Sequence, residues 1–390
     1  MWKTMKVCLD LTPALHNTAG TGRYVRELAR ALIDLGHGEQ LSFFCVDPEG
    51  GARDGMPSSV PRVTIRCSKR VWSVAAALSS YFGIPMDHFV GGSDVFHATW
   101  HLLPRLRDPV SVMTLYDLSF ALFPETHLRV LRWSSNVLVP RFLRTCDRVI
   151  AISESTKRDA VRLYGIPEDK IIVIHLAAED RFRPAAPDRV AEVRDRFGLP
   201  PRFLLYVGTI EPRKNLDVLL GALLRLKGQR REVPLVVAGR LGWLYDGFLT
   251  KIRSLGLENL VLLPGFVPDD DLPALYTAAE AFVYPSMYEG FGIPVLEAMG
   301  CGTPVLCSNA SSLPEVAGDG GILLPPGDPA AWAEAISRLM ESTALRGELR
   351  ERGFRQASRF RWEETARRTW EVYRATLPHR SHGSAERNPG

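Results

Sequence analysis

An α/β chain of two doubly wound domains is what this sequence predicts, on three observations. Short apolar runs alternate with longer helical patterns over almost the whole length. The alternation lapses once near the middle and then restarts. At roughly 150 residues per domain, 390 residues leave room for two domains or three. The composition, 46% hydrophobic and 24% charged, excludes global disorder. Forty-eight basic against 44 acidic residues leave a net charge of only +4, so nothing electrostatic points to nucleic acid as a partner.

The first half offers strands at Lys6 to Leu11, Leu41 to Val46, Val63 to Arg66, Asp94 to His97, Val110 to Leu115, Arg148 to Ile152 and Ile171 to Ile174. Helical stretches such as Gly22 to Leu35 lie between them. Ser153 caps a helix that closes on Gly165, with Pro167 beyond it. From Glu179 to Pro201 the pattern dissolves into prolines and one short helix ending at Phe197-Gly198. The second alternation has strands at Phe203 to Val207, Leu235 to Ala238, Leu260 to Leu263, Ala281 to Tyr284, Pro304 to Leu306 and Gly321 to Leu324, followed by an Arg-rich helical region. The expected organisation is a Rossmann-like domain over 1–185, a linker over 186–201, a second Rossmann-like domain over 202–360, a C-terminal helix over 361–377 able to cross back to the first domain, and a disordered tail over 378–390.

Six cysteines at 8, 45, 67, 146, 301 and 307 stand in no close ligand spacing, which fits a reduced, cytoplasmic chain. The apolar stretch Val7 to Leu11 is too short for a secretory leader. The longest apolar candidate, near 71–90, is broken by Ser73, Ser79, Ser80, Gly83, Pro85 and Asp87, so no membrane span is expected. A basic aromatic helix near Arg129, Arg132, Trp133, Arg141 and Arg144 leaves two readings, a peripheral contact with the inner membrane face or a solvated face.

Ligands of open α/β sheets sit outside the carboxyl ends of the strands, so the informative residues are those just after strands. After Tyr284 comes a glycine-rich turn, Glu289-Gly290-Phe291-Gly292, and Ile293-Pro294 opens a helix that stops at Gly300. The glycines permit close approach to the backbone near Phe291, Gly292 and Ile293, where an anion can meet the helix N-terminus. Glu297, further along, can reach a second part of the same ligand, such as a ribose hydroxyl pair. The alternative is that Glu289 merely complements the helix dipole and Glu297 is solvated. After Val207 the run Gly208-Thr209-Ile210-Glu211-Pro212-Arg213-Lys214-Asn215 puts Arg213 and Lys214 where a diphosphate wants two cations. An exposed basic helix start is the competing reading. In the first half Gly20-Thr21-Gly22 follows the first strand as a close-approach loop or a plain cap, and Val25 breaks a dinucleotide fingerprint. His97 ends a strand, and a structural hydrogen bond is the simpler reading for it, as for His16 and His101.

These residues together resemble the family 4 retaining glycosyltransferases of the GT-B fold, over about Gly20 to Pro329. The pair Glu289 and Glu297, followed by Ala-Met-Gly-Cys-Gly-Thr-Pro, and the run Glu-Pro-Arg-Lys-Asn carry the resemblance. It implies two domains facing a cleft, with a nucleotide-sugar on the second. Arg213 and Lys214 would hold the diphosphate, Glu289 the donor hexose and Glu297 the ribose. Gly208 and Thr209 would border the phosphates, Phe291 to Ile293 would lie against sugar and phosphates, and Phe266 with Val267 would lie near the nucleobase. Gly20, Gly22, Tyr116 and Asp117 would face the cleft from the acceptor side. Ser311 and Ser312 stand in a turn usually written with glycines. Two departures matter: Tyr116-Asp117 stands where many relatives have a histidine, and Thr209 where an arginine is common.

The resulting expectation is a retaining, metal-independent hexosyltransferase, with mannose from GDP-mannose as donor and a saccharide or lipid-linked acceptor. A UDP-glucose enzyme, a nucleotide-sugar 2-epimerase and a non-catalytic sugar-nucleotide sensor are the alternatives. No cofactor is expected, since the nucleoside diphosphate sugar is a substrate. No metal is expected either, because Asp269-Asp270-Asp271 reads as a helix start.

Overall fold

The computed structural model describes residues 5–16, 20–50, 55–126 and 129–380. The expected tail beyond 380 and the side chains of Arg129, Arg132 and Trp133 lie outside the described residues. The chain forms two compact units, one of residues up to Leu176 together with those from Trp362 onwards, the other of Ala177 to Arg361.

Unit 1 holds seven described strands: β1 (Val7–Asp10), β2 (Leu41–Val46), β3 (Arg62–Ile65), β4 (Val95–Ala98), β5 (Val110–Leu115), β6 (Arg148–Ala151) and β7 (Ile171–Val173). They pair in parallel in the order β3-β2-β1-β4-β5-β6-β7. The chain winds one way from β1 to β3 and then crosses back to β4, so the topological switch point falls between β1 and β4. Both faces of the sheet are covered, which is why β4 and β5 are buried at every position rather than at alternate ones. Phe44, Phe96, Met113 and Phe142 anchor a core on one face.

Unit 2 repeats the plan with six described strands: β8 (Leu204–Val207), β9 (Leu235–Ala238), β10 (Val261–Gly265), β11 (Ala281–Tyr284), β12 (Val305–Ser308) and β13 (Gly321–Leu324). Their parallel order, β10-β9-β8-β11-β12-β13, places the second switch point between β8 and β11.

The boundaries differ from those expected. Residues 186–201 are no interdomain linker, for the helix Pro187–Phe197 packs on the helix Leu272–Ala278 inside unit 2. Arg189 and Arg196 reach Asp271, the residue before that second helix, and Arg194 donates to Ala278 O at 2.8 Å. The proline-rich flanks made a docked helix look like a tether. Unit 2 accordingly starts near residue 177. The last helix, Trp362–Arg380, belongs to unit 1 and packs on the helix Gly20–Leu32. It takes up Pro378 to Arg380, which the sequence assigned to the tail. All six cysteines are free, and burial pushes Cys8, Cys146 and Cys307 to about 12, so these thiols stay protonated and inert.

Candidate active site

At the carboxyl end of β8 the chain passes Gly208 at φ 153°, where a Cβ would lie 2.8 Å from the Tyr206 hydroxyl oxygen. Gly239, after β9, comes closer still, since its Cβ would be 1.9 Å from Gly208 O. Only glycines let these strand ends meet. A short 3-10 turn, Pro212–Lys214, then ends on Asn215 in the left-handed conformation, φ 55°. The Asn215 amide donates to Pro285 O (3.1 Å) and Pro326 O (2.7 Å), and Met287 N–H donates to Arg213 O (3.0 Å). These bonds tie the loop after β8 to the loop after β11.

Two cations and two carboxylates meet where the loops are tied. Lys214 Nζ lies 2.6 Å from Glu289 Oε1 and donates to the Tyr284 hydroxyl at 3.2 Å. Arg213 bridges Glu211 Oε1 (2.5 Å) and Glu289 Oε2 (3.3 Å) and donates to Tyr288 O. Glu211, Lys214 and Glu289 are all buried. Burial alone would raise the Glu289 carboxyl, but Lys214 and Arg213 outweigh it and hold the group at about 2. Desolvation lowers Lys214, partly offset by Glu289. The reading of Arg213 and Lys214 as an exposed basic helix start is therefore excluded. The quartet sums to zero charge.

The helix Ile293–Gly300 starts after Gly292, whose φ is 107° and whose Cβ would strike Leu313 Cδ2 at 2.7 Å. Two serines brace the turn ahead of it. Ser311 Oγ accepts from Glu289 N–H (2.8 Å), and Ser312 Oγ lies 2.9 Å from Glu289 O and 2.8 Å from Phe291 O. Ser311 sits at φ 50°, a left-handed position that explains why glycines are usual in this turn. Phe291 and Ile293 are buried, Phe291 against the Phe360 ring. Glu297 is buried too and accepts the Tyr276 hydroxyl at 2.9 Å, so it is not the solvated residue of the alternative reading. Thr209 O accepts the Tyr206 hydroxyl at 3.2 Å. At the ends of β9 and β10, Arg240 stacks 4.5 Å above the half-exposed Phe266 ring, while Val267 is buried.

The switch point of unit 1 has a different chemistry. Thr99 Oγ1, after β4, donates to Asp10 O at the end of β1 (2.5 Å), and Tyr116 donates to Thr99 O (2.6 Å). His97 links Tyr373 (2.6 Å) to Thr114 (2.8 Å), which meets Tyr24 at 3.0 Å. Burial lowers His97 to about 3 and raises Asp10 to about 6, the Thr12 bonds to Asp10 pulling the other way. His97 is thus structural. Asp117 Oδ1 accepts Ser119 N–H and its hydroxyl. Gly20 and Gly22 stand in the first turns of the helix Gly20–Leu32 rather than in a loop before it, and the space where a Gly20 Cβ would go is open, so no close approach demands that glycine.

Missed from sequence were the roles of Asn215, Tyr284 and Arg240, whereas Ser311 and Ser312 were singled out only as a turn usually written with glycines. Asparagine after a Pro-Arg-Lys turn is itself a left-handed signal. Tyr284 and Arg240 carried no such mark.

Two parallel sheets with switch-point loops of this kind define the fold class as GT-B. Sucrose-phosphate synthase from Thermosynechococcus elongatus superposes with a TM-score of 0.76 at 22% identity, over 96% of this chain and 100% of that one. Residues 18–180 match the model of Glycosyltransferase Family 4, and residues 191–356 that of Glycosyl transferases group 1. O-antigen chain mannosyltransferase B of Escherichia coli is 36% identical over 390 aligned positions, spanning 95% of this chain and 100% of the relative. The serotype-specific mannosyltransferase WbdA of Escherichia coli is 34% identical over 225 positions, 56% of this chain and 28% of that protein. The chain belongs to glycosyltransferase family 4.

Proposed function

We propose that the protein is a retaining, metal-independent mannosyltransferase that moves mannose from GDP-mannose to a saccharide or lipid-linked acceptor. The observation that carries this reading is the buried quartet at the switch point of unit 2, together with a mannosyltransferase relative alignable over its full length. Arg213 offers a planar fork and Lys214 a point charge to the diphosphate. As that anion docks, the cations are shared away from Glu289, whose carboxylate then turns to the donor hexose. Charge leaving with the diphosphate meets donors that need no reorganisation. The sugar carbon becomes oxocarbenium-like. The glycosidic C–O bond to phosphate breaks, the acceptor oxygen bonds to the same face, and the departing phosphate takes the acceptor proton. No protein nucleophile is needed. Glu297, with Tyr276, is assigned to the ribose, Gly208 and Thr209 to the phosphate border, and Arg240 with Phe266 and Val267 to the base. Unit 1 is assigned the acceptor through Asp117 and its neighbours.

Product analysis with radiolabelled GDP-mannose and UDP-glucose, each with a saccharide acceptor on a lipid carrier, tests this. The expected result is mannose transfer with the anomeric configuration of the donor kept. Transfer from UDP-glucose alone changes the donor, epimerised nucleotide-sugar places the protein among 2-epimerases, and binding without product makes it a sensor.

A further inference from the structure

The apolar stretch that is too broken to span a bilayer folds as the helix Lys69–Phe82, and it is built inside out relative to a solvated helix. Trp72, Ala76, Ser79 and Ser80 face the core. The outward residues are Val71, Val74, Leu78, Tyr81 and Phe82, with Ile84 just beyond, all between 48% and 68% exposed. Spacings of three, four and three place Val71, Val74, Leu78 and Tyr81 on one stripe. Lone exposed apolar residues are ordinary, but a whole helix face of them marks a contact surface.

Charge complementarity says what covers it. No acidic residue occurs between Arg66 and Met86, and the stripe is rimmed by bases. Lys69 and Arg70 stand at its start. At its far end the Arg141 guanidinium lies 5.2 Å from the Tyr81 ring centre and bonds to Ser80, and Arg105 N–H donates to Ser79 Oγ with its side chain exposed. One turn before Arg141, Val137 is also exposed. Aliphatic residues in the middle, aromatics at one end and cations on long stems around the edge match the boundary between acyl chains and anionic headgroups.

We propose that this face of unit 1 docks on an anionic lipid membrane, the helix Lys69–Phe82 lying in the plane of the interface. The contact differs from the one considered for the helix Arg129–Thr145 in that its apolar stripe comes from elsewhere, with Arg141 and Val137 at the rim. It also stands apart from the choice of donor sugar.

Co-sedimentation of the full-length protein with phosphatidylethanolamine vesicles containing phosphatidylglycerol tests it, with phosphatidylcholine vesicles as reference. The wild type should pellet with the anionic vesicles and be released by salt. The combined Leu78→Gln, Tyr81→Ser and Phe82→Gln variant should bind at least about tenfold more weakly. Lys69→Glu and Arg70→Glu should each cost about fivefold on anionic vesicles. Circular dichroism and nucleotide binding should be unchanged in all of them, since none of these side chains is buried, Lys69 Nζ lying 5.8 Å from the Trp100 ring centre and the others being exposed. Equal pelleting of wild type and the triple variant overturns the proposal. So does a wild type that stays in the supernatant, and a dimer in sedimentation velocity that the triple variant breaks then assigns the face to a second copy of the chain.

Discussion

At the switch point of unit 2 four charged side chains meet, whereas at the corresponding place in unit 1 the partners are hydroxyls, an imidazole, backbone carbonyls and the carboxyl of Asp10. The same sheet topology therefore supports two kinds of switch point. Charges taken out of water are tolerable only when paired, and unit 2 pairs each cation with a carboxylate that an incoming diphosphate can replace. In unit 1 the hydroxyls of Tyr24, Thr99, Thr114, Tyr116 and Tyr373 are all hydrogen-bonded, while the buried His101 Nδ1 beside the Tyr116 ring has no hydrogen-bond partner among the described residues, a set that suits an uncharged hydroxyl-bearing ligand better than an anion.

Removing a charge from unit 2 breaks the comparison most severely. Glu289→Gln keeps the shape but loses the carboxylate, and turnover should fall about 10²- to 10³-fold, the scale of one preorganised electrostatic contact. Steady-state rates on a folded variant check this, and near-normal turnover removes Glu289 from the reaction.

Acid should act next, and mainly through unit 2. Glu289 is held at about 2 in the fold against about 4.5 unfolded, so its stabilisation is present above pH 4.5 and lost as pH falls towards 2. In unit 1 two groups oppose each other. His97, lowered to about 3, loses stability as pH falls below 6.5, while Asp10, raised to about 6, regains it as it is protonated between 6 and 4. Thermal melts from pH 7 to 2 should show an acid limb beginning near 4.5 that shrinks in Glu289→Gln.

A smaller effect belongs to unit 1 alone. Tyr373→Phe removes the hydroxyl facing His97 Nδ1 and should cost about 1 to 3 kcal/mol in denaturant melts while leaving nucleotide affinity intact. Weakened GDP binding in that variant dissolves the division between the two units. Smallest of all is chelation: activity in excess EDTA should be unchanged, and loss restored by magnesium or manganese contradicts a diphosphate held by Arg213 and Lys214 alone.

Much of this was legible in the residues. All thirteen described strands match the expected runs to within two residues at either end, because buried parallel strands leave a strong local signal. Arg213, Lys214 and Glu289 stood out as residues just after strands. Their mutual pairing did not, since Lys214 and Glu289 are 75 residues apart and only the β8–β11 neighbourhood joins them. The helix ending at Phe197 was legible, but its docking inside unit 2 was missed because the attachment rests on arginines reaching Asp271, more than seventy residues away. The outward stripe on Lys69–Phe82 was missed for a related reason: hydropathy marks the residues as apolar, and only the fold says which way they point.

The central claim is that the quartet of unit 2 holds the donor diphosphate, and calorimetric titration of GDP into wild type and Lys214→Ala tests it most directly. The variant should bind more weakly by about 1 to 3 kcal/mol, the worth of a charge-assisted bond, in a protein that circular dichroism shows folded. Equal affinity for the two proteins contradicts the assignment.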